Sequence, residues 1–155
     1  MNSAIGKVAD FDFLTGTWDV AHRRLRQRGV GSDDWDEFRG VSVCEPRLGG
    51  MANIEQIDVP ERGFSGLTLR LFDLAQSTWS IWWINSNTGR LEPPVTGGFS
   101  GNVGTFIGPD TDGDQAVTVK FTWTVVDEDH ARWEQAFSPD DVVWETNWIM
   151  EFTRT

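Results

Sequence analysis

Tyrosine is absent from this 155-residue chain, and histidine, lysine and cysteine are almost absent: two His, two Lys (Lys7 and Lys120) and one Cys. One cysteine excludes an intrachain disulfide framework. Zinc sites draw on several His or Cys ligands, so no metal or other cofactor is expected. Basic excess is missing too. Thirteen basic against 24 acidic residues leave a net charge of −11, which argues against a broad nucleic-acid or anionic-membrane surface. No run approaches the roughly 20 apolar residues of a membrane span, and the opening MNSAIGKVADFDFLTGTW lacks the apolar stretch of a signal peptide. The expectation is a cytoplasmic protein with no membrane or nucleic-acid partner, in which Cys44 is a small strand residue in a reducing compartment.

Several catalytic patterns are missing as well. There is no Gly-x-Ser-x-Gly, and Phe99-Ser100-Gly101 sits among glycines that read as turn and bulge positions. Asp110-Thr111-Asp112-Gly113-Asp114 resembles a calcium loop, but its glycine comes too early and no bidentate Glu follows, so it reads as a polar hairpin turn.

What the chain has in abundance is large rings and arginine. It contains nine Trp and ten Phe, and all basic residues but the two lysines are Arg. A guanidinium lies well over an indole face. So many indoles either fill a core or line a pocket, since ligand pockets tend to be aromatic.

Turn signals recur at short intervals, including Gly29 to Asp34, Gly49-Gly50, Pro60 to Gly63, Asn85 to Gly89, Gly97 to Gly104 and Ser138 to Asp141. Segments rich in Trp, Phe, Val, Ile and Thr lie between them. This is the pattern of many short antiparallel strands. Val117, Val119, Phe121, Trp123 and Val125 alternate with Thr118, Lys120, Thr122 and Thr124, which gives one buried and one wet face. Trp133, Gln135 and Phe137 share one face of the next strand, and Trp144, Thr146, Trp148, Met150 and Phe152 share one face of the last. Short turns make these three a meander. Earlier, Leu67, Leu69 and Leu71 alternate with Thr68 and Arg70. Helix is scarce, and the best candidate is a short turn at Asp10 to Leu14, with Asp10 or Asp12 as its N-cap and Gly16 as its stop. The expected fold is all-β: a single antiparallel up-and-down barrel over residues 1–155, with about eight to ten strands.

Phe13-Leu14-Thr15-Gly16-Thr17-Trp18 resembles the entry to the calycin barrels, a group that holds lipocalins, fatty-acid-binding proteins and nitrobindin-like domains. The segments around Trp79 to Trp83, Trp133 to Ser138 and Trp144 to Arg154 resemble those of uncharacterised bacterial calycin-like domains. The resemblance implies that Trp18 closes the barrel bottom under Arg154 from the last strand. It also implies that Val20, His22 and Arg24 point inward with Trp18. Haem binding of the nitrobindin type would need an axial His on the last strand, and Trp144 to Arg154 contains none.

The candidate site is the barrel interior. Trp83, Trp123, Trp133 and Trp148 would form its wall, and His22, Arg24, Glu55 and Gln135 its polar groups. Arg23, Arg24, Arg26 and Arg28 form a basic run. Its plain reading is a solvated strand end paired with Asp33, Asp34, Asp36 and Glu37. Its functional reading makes Arg24 a carboxylate-binding group, with Glu55 as an internal partner, because a lone buried Arg needs an anion. Gln135 inside an aromatic wall must be hydrogen-bonded by protein, water or ligand.

Three functions follow. The first is binding of a small apolar or aromatic ligand, an anionic one included. The second is an isomerase or decarboxylase type of enzyme in the same cavity, favoured if Glu55 stands close to Arg24 or His22. The third is a barrel filled solid by its indoles and acting as an assembly module. On Trp79 to Ile84 both faces are apolar. Either a homodimer through the Trp82 face or the segment around Phe11 and Phe13 would then cover the outside.

Overall fold

A computed structural model describes residues 6–155. Ten antiparallel strands close into one barrel in the order β1-β10-β9-β8-β7-β6-β5-β4-β3-β2. They are β1 (Gly16–Leu25), β2 (Trp35–Arg47), β3 (Ala52–Val59), β4 (Phe64–Asp73), β5 (Thr78–Asn85), β6 (Val95–Ser100), β7 (Val103–Asp112), β8 (Gln115–Asp127), β9 (His130–Ser138) and β10 (Glu145–Arg154). Closure gives each of these strands a hydrogen-bonded neighbour on both sides. Among the described residues no helix is long and apolar enough to cross a membrane.

The first and last strands meet as the resemblance implies. Trp18 stands opposite Arg154 in the β1–β10 register, and the guanidinium lies 4.1 Å from the indole centroid. Arg154 also donates to the carbonyls of Phe13 and Thr15, each at 2.7 Å. It therefore ties the last strand to the N-terminal 3-10 turn, Val8–Leu14. This turn starts earlier than expected. Asp10 is not its cap residue but its third, and its carboxylate accepts from the Lys7 backbone N–H. The turn plugs the barrel bottom. Trp18 and Trp79 donate their indole N–H groups to the carbonyls of Leu14 and Lys7, and Phe11 packs edge-on against Trp79.

The strands β8 and β9 face as their alternation predicts, with Trp123 opposite Trp133 and Phe121 opposite Gln135 inside the wall. In β10 a register shift between Thr146 and Trp148 breaks the period. Trp144 precedes the strand and sits under Lys120 (4.3 Å to the ring centroid), not on the inner face with Trp148. Glycines expected to mark turns at Gly97, Gly98 and Gly104 lie inside β6 and β7. A side chain on Gly97 would collide with the Thr105 carbonyl, so that glycine serves close strand approach. The plain reading of the basic run, a solvated strand end paired with the following acidic residues, holds for Arg26 and not for Arg28. β1 ends at Leu25, so Arg26 and Arg28 lie beyond it; Arg26 pairs with Asp34 and Asp36, while Arg28 pairs with Asp112.

β4 departs most from a hydropathy reading. Thr68 and Arg70 point inward and are buried, while Leu67 and Leu69 are exposed. Strand pairing sets Leu67 beside Ile84 and Leu69 beside Trp82, so an apolar strip runs across the outside of β4 and β5. Phe11 lies against Trp79, Phe99 and Phe106 inside the barrel, which answers one expectation: the N-terminal segment covers the bottom and not the Trp82 face.

Candidate functional site

The inward positions of β2, β3 and β4 carry polar groups at one level of the barrel: Ser42 and Cys44, Asn53 and Glu55, Thr68 and Arg70. Register places Cys44 beside Glu55 and Glu55 beside Thr68. Arg70 donates to Asn53 Oδ1 at 2.9 Å and to Glu55 Oε1 at 2.5 Å. The Ser42 hydroxyl donates to the other Glu55 oxygen. Arg70 is 3% exposed and Glu55 5%, so both charges are withdrawn from water and each is paired. The guanidinium also lies between two rings, 5.0 Å from the Phe11 centroid and 5.5 Å from that of Trp123.

Above this pair lies a cavity of about 40 Å³, measured as the space open to the centre of a water-sized sphere. A single water's own sphere fills about 10–15 Å³, so this space exceeds one water and suits a compact molecule, not a long chain. Glu55, Arg70 and Trp123 line it, with Trp83, Trp133, Gln135 and Trp148. Trp148 stands edge-on to both Trp83 (6.2 Å) and Trp133 (5.6 Å), which locks three indoles into one wall. Trp83 fits because residue 66 is glycine: a Cβ there would lie 1.9 Å from its ring. Gln135 donates to Asn147 Oδ1 at 2.7 Å, which answers the question of its amide partner. The β5–β6 ladder beside Trp83 is short, with three register pairs ending at Ile81 and Val95.

His22 and Arg24 point inward as expected but do not line this cavity; Trp148 stands between. The Trp148 indole donates to His22 Nδ1 at 3.1 Å, and the His22 ring stacks on Phe38. Burial, and secondarily the nearby Arg24 charge, push the His22 pKa down to about 3. Arg24 lies among Phe38, Phe64 and Trp148, each ring centroid 4.9–5.3 Å from its guanidinium. Its strand neighbour Asp36 is already bound by Arg62. Glu55 is not its partner, because Glu55 lies beside Cys44 while Arg24 lies beside Asp36, eight positions along β2. Arg70 takes that place, and sequence reasoning missed it. Its signal was present: a lone Arg that alternates with leucines, on the strand next to an inward Glu. Cys44 stays a thiol, since burial pushes its pKa up to about 11.

No family model matches the chain, and no curated protein matches it. Among solved structures, a redesigned beta barrel covers 99% of this chain and 99% of its own at 13% identity, with a TM-score of 0.52. That likeness concerns the closed antiparallel fold alone. The haem that nitrobindin-like domains would imply does not fit these residues. The cavity is too small for a porphyrin, His22 is engaged by Trp148, and His130 lies in an exposed turn against Asp127.

The neutral His22 makes stability depend on pH. Between its folded value of about 3 and the ordinary 6.5, the unfolded chain binds a proton that the folded chain refuses. The contribution is therefore complete above 6.5 and is lost as pH falls towards 3. Urea unfolding between pH 6 and 5 is expected to show a loss from this group with slope approaching about 1.4 kcal/mol per pH unit. His22→Gln should remove that part of the slope. An unchanged slope would mean that His22 protonates freely inside the barrel.

Proposed function

We propose that this barrel binds a small, compact apolar or aromatic molecule in its interior. The observation that carries the reading is a cavity walled by Trp83, Trp123, Trp133 and Trp148 and floored by the buried Arg70–Glu55 pair. Apolar walls with a few fixed polar groups are the usual build of a ligand site. Cavity size supports a single ring and opposes a long acyl chain. An enzyme is less well supported. Both Glu55 oxygens are engaged, by Arg70 and Ser42, and His22 lies behind Trp148, so neither is free to move a proton at the cavity.

The test is linkage of binding to stability. A molecule that binds only the folded state raises Tm with its concentration. Toluene is expected to raise the Tm of the wild-type chain and to do so less for Thr68→Ile, which adds bulk at the cavity wall. Equal stabilisation of both variants, or none of either, would overturn the reading.

A second reading rests on the outer strip of Leu67, Leu69, Trp82 and Ile84. Exposed apolar patches of this kind are uncommon on monomers. A second copy is the partner that the strip suits, because two uncharged strips can meet without juxtaposing the charges of a −11 chain. Sedimentation should show a dimer for the wild type and a folded monomer for Trp82→Glu. A wild-type chain that stays monomeric at high concentration would end this reading.

A further inference from the structure

The fully buried side-chain atoms left without a partner beside the cavity are donors, and what they imply rests on the ligand-binding reading above. Arg70 Nε and Trp123 Nε1, on two residues that line it, have no partner among the described residues, and neither has Asn147 Nδ2 behind Gln135. Arg70 is 3% exposed, and Trp123 and Asn147 are each 2% exposed. All three atoms are donors. A buried donor left unmatched costs about 1–3 kcal/mol, so each of them favours an acceptor brought from outside the chain.

The carboxylate and amide oxygens around the Arg70 floor are engaged. Glu55 receives Arg70 and Ser42, Asn53 Oδ1 receives Arg70, and Asn147 Oδ1 receives Gln135. A molecule that needs to donate finds no free carboxylate there. Two of the donors belong to one corner. The Arg70 guanidinium lies 5.5 Å from the Trp123 ring centroid, and both residues line the cavity. The charge at this corner is already balanced, one guanidinium against one carboxylate. A second carboxylate brought in by a ligand would therefore be buried without a counter-charge of its own, which is costly.

We propose that the ligand is a neutral ring compound bearing a carbonyl-type oxygen, which accepts hydrogen bonds from Trp123 Nε1 and Arg70 Nε. The ring lies against the indole wall and the oxygen faces the floor. Specificity follows from the donors: a hydrocarbon of the same shape leaves them unmatched, and an anion adds an unbalanced charge.

Three probes of similar size test this on the full chain: cyclopentanone, methylenecyclopentane and cyclobutanecarboxylate. The readout is the nitrogen–proton spectrum of the indole groups together with the methyl signals of Ile57, Ile81 and Met150, which line the cavity. Trp123→Phe assigns the Trp123 indole signal by its loss. Cyclopentanone is expected to bind about tenfold more tightly than either other probe and to shift the Trp123 indole proton downfield. Trp123→Phe should lose that advantage and still bind methylenecyclopentane. The comparison of the three probes in the wild-type chain stands even if that variant fails to fold. If methyl signals respond equally to ketone and hydrocarbon and the indole signal does not move, the donors are met by buried water; the inference then fails while ligand binding stands. Preference for the carboxylate would overturn the neutral ligand. If no probe moves the methyl signals, the binding reading itself fails.

Discussion

A guanidinium placed inside an aromatic barrel has to be matched there, and the arrangement of β2, β3 and β4 follows from that constraint. Arg70 is 3% exposed, so water cannot solvate it. Glu55 and Asn53 on the adjacent strand supply its acceptors, and Ser42, one strand further, completes Glu55. Side chains alternate with period two along a strand. Turning Arg70 and Thr68 inward therefore turns Leu67 and Leu69 outward, beside Ile84 and Trp82. The polar floor of the cavity and the apolar strip outside are two consequences of one register.

The barrel manages this cost by dividing its interior into layers. At the bottom, the 3-10 turn, Trp18 and Arg154 form a plug in which the indole N–H groups of Trp18 and Trp79 are satisfied by backbone carbonyls. At the top, Arg24 is held among three rings and His22 stays neutral behind Trp148. Between them, Trp123 and Arg70 keep donors in reserve. Indoles thus play two parts, closing the structure where their N–H groups are paired and facing the cavity where one is not.

Much of this was legible in the chain. Regular turn spacing and clean alternation gave a closed antiparallel barrel, and the resemblance at Phe13 to Trp18 implied its closure through Trp18 and Arg154. The inward faces of β8 and β9 and the placement of Gln135 also follow from period two, and Glu55 was placed inside as the anion that a buried Arg needs. What escaped reading has local physical causes. Arg70 is flanked by leucines, so hydropathy puts the wrong face inward; only the need of buried Glu55 for a cation would have reversed it. Trp144 was misplaced because the irregularity between Thr146 and Trp148 shifts the period by one, and nothing in the composition of that strand marks it. Arg24 and His22 face inward as expected, yet the bulk of Trp148 separates them from the cavity, a matter of packing that alternation does not reach.

The most direct test of this account is a double-mutant cycle on Arg70 and Glu55, read by urea unfolding. If the pair is the internal constraint, Arg70→Met and Glu55→Leu should each cost about 3–5 kcal/mol, because each strands a buried charge. The double variant should recover most of that loss, since neither charge then remains inside. Costs that simply add would contradict the account, because they would mean that each residue is held by its own surroundings and not by the other.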